Sequence, residues 1–269
     1  MTNQPSTLGR AVQQFFVGVG KATARWTRLE YEGPDRLPDP PALIVANHGF
    51  GGVFDLNALT IAALAERLRP RDDVQFTVLT HQIAWTLGLG PVLEPAGLRV
   101  ASRASALEGL AAGHYVLVMP GGDLDAGKSF THRNEVIFGG RTGYAKLALE
   151  AGVPIIPIVV SGAGETLFVL SDGQRLAKFL RLPDLLRVKA LPVSVSLPYG
   201  LSIGVAGMLP YLPLPAKMRA AVLDPILAAD QETAESLAAR VHDAMSAKLT
   251  NLTEGRVPFL GKRWDEVLR

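Results

Sequence analysis

Two short stretches of this chain carry residue types that do chemistry, and they point to different reactions. One is ANHGFGGVFD, from Ala46 to Asp55. Its histidine, His48, follows an apolar run, where open α/β sheets place their reactive side chains. An imidazole acts as an oriented general base when a carboxylate holds its Nδ1. Asp55 can supply that carboxylate if the glycines at 49, 51 and 52 fold the intervening chain back. Asp55 also opens a helical pattern, so it can be a helix N-cap, and the two roles are compatible. The other stretch is GDLDAGKS, from Gly122 to Ser129, which fits the phosphate-loop pattern G-x-x-x-x-G-K-[ST] letter for letter.

A phosphate loop needs more than its letters. Its N–H groups cradle an anion because a helix begins at the lysine. Here Lys128 and Ser129 run into FTHRNEVIFGG, a poor first helix, and Asp123 and Asp125 put two carboxylates where a polyanion would lie. The one apolar run ending in an aspartate suited to Mg²⁺, AAVLD at 220–224, is far along the chain. Nucleotide binding through Gly122–Ser129 stays the alternative to chemistry at His48.

Composition narrows the field. With 269 residues, 48% hydrophobic and 19% charged, the chain can bury a sizeable core. A formal charge of +2 does not argue for a nucleic-acid partner. The absence of cysteine excludes thiol catalysis, disulfides and Cys-ligated zinc. No secretory signal is recognisable, and a cytoplasmic location is the expectation.

The elements that must position these residues follow from hydrophobic periodicity. Residues 6–28 form an amphipathic helix with Leu8, Val12, Phe15, Phe16, Val19 and Trp26 on one face and Arg10, Lys21, Arg25 and Arg28 beside them. Such a helix suits a membrane surface or docks on the protein's own core. ALIVANH reads as a buried strand, DLNALTIAALAERLR as a helix and VQFTVLTH as a strand. SRASALEGLAAG reads as a helix capped by Ser102 or Ser105, and YVLVMP as a strand. GRTGYAKLALEAG is a helix ending at Gly152, and VPIIPIVVSG a strand. KMRAAVL can add a strand, and ETAESLAARVHDAMSAKL is a helix with Leu237, Val241, Met245 and Leu249 inward. The alternation predicts a single α/β domain over 31–269, a mixed and largely parallel sheet flanked by helices, preceded by the amphipathic helix at 1–30. The stretch 190–215 is uncharged but too rich in proline and glycine to span a bilayer as a helix.

Four blocks now stand in order: N-H-x₆-D from Asn47 to Asp55, GLRVASR from Gly97 to Arg103, MPGGD from Met119 to Asp123, and VPIIPI from Val153 to Ile158. The series resembles the glycerolipid and lysophospholipid acyltransferases, whose blocks are N-H-x₄-D, G-x-x-F-I-x-R, F-P-E-G-T-R and V-P-I-I-P-V. The chain departs from them in the His-to-Asp interval, two residues longer, and in having Gly121 for the glutamate and Leu124 for the arginine. The PGG form followed by GGRTGYAKLAL is closer to the monoacylglycerol and diacylglycerol acyltransferase branch. The resemblance implies transfer of a fatty acyl group from an acyl thioester, acyl-CoA or acyl carrier protein, to a lipid hydroxyl. No bound cofactor and no metal is implied. His48 would be the general base, with Asp55 orienting it. N–H groups at Gly121 and Gly122 would meet the oxyanion. Arg103 would contact an acceptor phosphate, Arg141 suits an anion at a helix start, and Lys128, His132 and Arg133 form a basic loop for donor phosphates or headgroups. A silent lipid-binding protein of the same fold is a further alternative. The implied partners are a membrane lipid surface, met peripherally, and the thioester donor.

In this reading GDLDAGKS is the MPGGD block running on into a loop. Titration with labelled ATP and GTP in Mg²⁺ is therefore expected to give no saturable micromolar binding. Saturable binding would restore the phosphate loop.

Overall fold

Apolar runs and helical periodicities alternate along the chain, and the structure assembles them into a central sheet with helices on both faces. It is a computed structural model that describes residues 7–50, 55–67, 75–86, 88–181, 190–204 and 211–267. Helix α1 (Thr7–Trp26) is followed by β1 (Glu30–Glu32), β2 (Ala42–Ala46), α2 (Leu56–Arg67) and β3 (Phe76–Thr80). Short helices α3 (Ile83–Thr86) and α4 (Gly90–Leu93) lead to β4 (Leu98–Val100), α5 (Arg103–Ala111), β5 (Tyr115–Val118) and α6 (Gly122–Ala126). Then come α7 (Gly143–Ala151), β6 (Ile155–Ser161), β7 (Phe168–Ser171), α8 (Gln174–Phe179), β8 (Val193–Ser196) and β9 (Gly200–Ile203). The last elements are β10 (Arg219–Val222), α9 (Ala234–Thr253) and α10 (Trp264–Val267).

The main sheet has the order β1-β10-β6-β2-β5-β3-β4. Strands β6, β2, β5, β3 and β4 are mutually parallel; β10 runs antiparallel to β6, and β1 parallel to β10. All five residues of β2 are buried, as an apolar run with helices on both sides must be. Leu43 and Val45 face a core built with α5, α7 and α9, while Ala42, Ile44 and Ala46 face a core built with α2. On α9, Leu237, Val241, Met245 and Leu249 are all buried, one helical turn apart.

The expected strands and long helices form close to where periodicity puts them. Ser102 caps α5 by accepting from the Ser105 N–H at 3.1 Å, and Gly152 ends α7 at φ +64°. Helix α1 docks on the protein itself. Phe16 and Val19 join the α2 core, and Gly9 and Gly20 allow its backbone against Pro95 and Leu59. A Cβ at Gly20 would lie 2.6 Å from the Leu59 carbonyl oxygen, so no larger residue fits that crossing. The apolar side chains of α2, buried where α1 packs, account for this docking, and it leaves Phe15 and Trp26 largely outside. Strands β1 and β4 and a separate antiparallel sheet, β7-β8-β9, go beyond the expected elements. Strands β8 and β9 lie within the uncharged stretch at 190–215, of which 205–210 lie outside the described residues.

Candidate functional site

Because β6, β2, β5, β3 and β4 are parallel, their C-terminal ends lie along one edge of the sheet, and three of the four sequence blocks leave a strand there, while VPIIPI leads into β6 and forms its start. The central strand β2 delivers Asn47 and His48. The Asn47 side chain continues the β2–β6 pairing: it donates to the Val160 carbonyl at 3.0 Å and accepts from the Val160 N–H at 2.9 Å. Asn57, in the first turn of α2, donates to the Asn47 carbonyl at 2.8 Å. The segment before His48 is thus anchored to both a strand and a helix.

His48 Nδ1 lies 2.8 Å from Asp55 Oδ2. The longer interval between them does not keep them apart, and residues 51–54 within it lie outside the described residues. Asp55 Oδ1 accepts from the N–H groups of Asn57 at 2.8 Å, Ala58 at 3.2 Å and Gly49 at 3.3 Å. One carboxylate therefore starts α2 and holds the imidazole. The Asp55 side chain is 2% exposed and that of His48 17%, so the ring reaches solvent at an edge while its partner does not. Burial is the largest influence on the His48 pKa and lowers it. The Asp55 hydrogen bond and charge, with the Asp125 charge, outweigh burial and the opposing Lys128 charge, so the pKa lies above the ordinary imidazole value.

The GDLDAGKS stretch does not form a phosphate cradle. Gly122–Ala126 is itself helix α6, and the Gly127 N–H donates back to the Asp123 carbonyl at 3.0 Å. Lys128 lies inside the protein, not on a basic surface loop. Its ammonium donates to Asp125 Oδ1 at 2.7 Å and to the Glu135 carbonyl at 2.9 Å, with side-chain exposures of 4% for Lys128 and 0% for Asp125. Asp125 also accepts from the His48 N–H at 2.6 Å and the Ile137 N–H at 3.2 Å. An ammonium so enclosed has no reach to a donor phosphate.

Gly121 and Gly122 lie in the turn after β5. A Cβ on Gly121 would stand 2.2 Å from Asp125 Cβ and 2.5 Å from the Ile137 carbonyl oxygen, so only glycine fits. The Gly122 N–H is engaged with the Met119 carbonyl at 3.2 Å, whereas the Gly121 N–H has no partner among the described residues. Arg141 binds the turn from outside. Its guanidinium donates to the Pro120 carbonyl at 2.7 Å, to the Gly121 carbonyl, and to Asp123 Oδ1 at 3.2 Å. Arg103 starts α5 and forms an exposed two-point ion pair with Glu150 of α7. Three strand spacings separate β4 from β2, about 14 Å along the edge. Arg133 is half-buried, stacks on Phe130 with its guanidinium carbon 4.1 Å from the ring centre, and donates to the Phe130 carbonyl at 2.6 Å.

Sequence reasoning missed Asn47 and Asp125 as anchors, and it missed Tyr211. Tyr211 packs edge-on to Phe50 at 6.2 Å, its hydroxyl meets Thr166 Oγ1 at 3.2 Å, and burial pushes its pKa up. The pairing of a buried aspartate with a lysine three residues on was written in the sequence but read as part of a phosphate pattern. Among the described residues no group of three or more His, Asp or Glu side chains could hold a metal.

A family model described as Acyltransferase matches residues 28–161, just under half of the chain. An uncharacterized protein of Mycobacterium tuberculosis is 30% identical over 241 residues, 86% of this chain and 63% of that protein. The "DGAT1/2-independent enzyme synthesizing storage lipids" of Gallus gallus is 27% identical over 225 residues, 84% of this chain and 60% of the chicken protein. The chain thus spans less than two thirds of the length of these curated relatives. In the solved structures, the 1-acyl-sn-glycerophosphate (LPA) acyltransferase PlsC from Thermotoga maritima matches with a TM-score of 0.57 and 16% identity, over 91% of this chain and 82% of that one. This match establishes the fold.

Two measurements check the site. Removing one member of a buried ion pair costs about 3–5 kcal/mol. Lys128→Met should lower the unfolding free energy in urea by that amount, and adding Asp125→Asn should restore part of it. By NMR, the His48 ring should titrate above the ordinary imidazole value. Asp55→Asn, which removes the charge that favours imidazolium, should lower that midpoint.

Proposed function

We propose that the protein is an O-acyltransferase that moves a fatty acyl group from an acyl thioester, acyl-CoA or acyl carrier protein, to a lipid hydroxyl such as that of a lysophospholipid or a mono- or diacylglycerol. The observation that carries this reading is the 2.8 Å contact between His48 Nδ1 and buried Asp55. It leaves Nε2, which has no partner among the described residues, as the ring nitrogen available to an acceptor. That nitrogen takes the proton of the acceptor hydroxyl as its oxygen bonds to the thioester carbonyl carbon. The tetrahedral intermediate collapses with breakage of the C–S bond, and the departing thiolate sulfur recovers the proton from the imidazolium. Asp55 orients the ring and stabilises its charged form. No acyl-enzyme is required.

The Gly121 N–H is the proposed donor to the oxyanion, and Arg141 holds the turn that presents it. Arg103 is the proposed acceptor-phosphate contact, where a phosphate would displace Glu150. Arg133 is a contact for headgroups only if it leaves Phe130. Lipid chemistry has further support from an apolar cavity of about 130 Å³ between α1, α2 and the sheet, lined by residues such as Phe16, Ala58, Leu59, Phe76 and Leu117. A dry cavity of roughly 150 Å³ holds benzene, so this one has room for the end of an acyl chain. Ala58 and Leu59 stand in the first turn of α2, beside Asp55.

The test is incubation with a labelled long-chain acyl-CoA and a panel of lipid acceptors, followed by lipid chromatography. His48→Ala should lower acyl transfer about 10²- to 10⁴-fold with the fold intact. Asp55→Asn should also be severe. Near-normal turnover by folded His48→Ala would sink the mechanism.

A further inference from the structure

In the sheet β7-β8-β9, strands β8 and β9 have their polarity reversed. An antiparallel sheet with one face in water alternates apolar inward and polar outward. Here the serines go in: Ser194, Ser196 and Ser202 are 0%, 6% and 6% exposed. The hydroxyls of Ser194 and Ser196 have no partner among the described residues. The apolar side chains go out: Leu170, Val195, Leu201 and Ile203 are 61%, 40%, 67% and 54% exposed. In water this arrangement leaves large apolar side chains exposed and polar ones buried, against both transfer preferences. It is favourable where the outer medium is itself apolar.

Helix α8, which follows β7 after two residues, specifies that medium further. Leu176, Phe179 and Leu180 are exposed there, Phe179 at 83%. Arg175, Lys178 and Arg181 are exposed among them, and no carboxylate lies between Gly173 and Arg181. Cations interleaved with apolar side chains match a bilayer interface bearing anionic headgroups. A two-fold contact with a second copy would instead bring this cationic patch against its own image.

The sheet is also joined to the site. Its inward residue Val169, with Leu167 just before β7, packs on Phe50, two residues beyond His48. A Cβ on Gly127, at the end of α6, would lie 3.2 Å from Ala190 Cβ, just before β8.

We propose that the outward face of β7-β8-β9, with α8 at its edge, docks this protein on an anionic phospholipid bilayer next to the loop that carries His48. Among the described residues no helix is long and apolar enough to cross a membrane. The contact is therefore one of a surface, strengthened by anionic lipid and weakened by salt. It stands independently of the acyl-transfer reading, because its test does not read activity.

The experiment is flotation of the full chain with vesicles of phosphatidylcholine and phosphatidylglycerol, and of phosphatidylcholine alone, at low and high salt. The protein should float with the anionic vesicles at low salt. Leu201→Glu combined with Ile203→Glu should reduce the bound fraction about tenfold or more, since each side chain loses its burial in lipid. Arg175→Glu with Lys178→Glu, away from the packed interior, should abolish the preference for phosphatidylglycerol. Urea midpoints and far-ultraviolet dichroism establish that each variant is folded. The proposal is overturned if the wild type does not float at low salt, or if folded Leu201→Glu/Ile203→Glu floats undiminished. It is equally overturned if binding is lost only on Phe15→Glu in α1, or if light scattering finds a dimer that Leu201→Glu dissolves without any flotation of the wild type.

Discussion

The carboxylate of Asp125 is buried completely, and it joins segments that are remote in sequence: the His48 backbone, the Lys128 ammonium and the Ile137 N–H. A lone carboxylate in that position would be strongly disfavoured, because desolvation of an ion costs several kcal/mol unless it is paired and hydrogen-bonded. The charge of Lys128 and the two N–H groups meet that demand. In doing so they bring the turn after β5 against the turn after β2. The absolute need for glycine at 121 follows, since Asp125 Cβ occupies the space a side chain there would take. The glutamate that the resembling family carries at that block has no room here.

The alternation of strands and helices was legible because both have simple periods and both faces of the sheet are covered. The His48 and Asp55 pairing was legible as a pattern, although its longer interval could be judged only in three dimensions. The role of Lys128 was not legible. An isolated G-K-S reads as an anion site, and nothing local reveals that a carboxylate three residues earlier points into the protein and takes the ammonium with it. The docking of α1 was half legible: its apolar face was evident, but only the apolar face of α2 decides that Phe16 turns inward and Phe15 does not.

The reversal of β8 was hidden for a different reason. VSVS alternates as any half-buried strand does, and period two says only that valine and serine take opposite faces. Which face turns outward depends on neighbours that arrive from elsewhere in the chain. A buried hydroxyl without a partner costs about 1–3 kcal/mol, so internal stability does not by itself favour the face that β8 turns outward.

Asp55 has an effect on loop length as well as on proton transfer. Asn47 pins one end of the His48 segment to β6, and Asp55 pins the other through the opening turn of α2. Between two such moorings the connecting chain no longer sets the distance between base and carboxylate. Closing a longer loop costs only logarithmically in its length. Insertions at this point are therefore cheap, and relatives can differ in the spacing of the two residues while keeping the same contact between them.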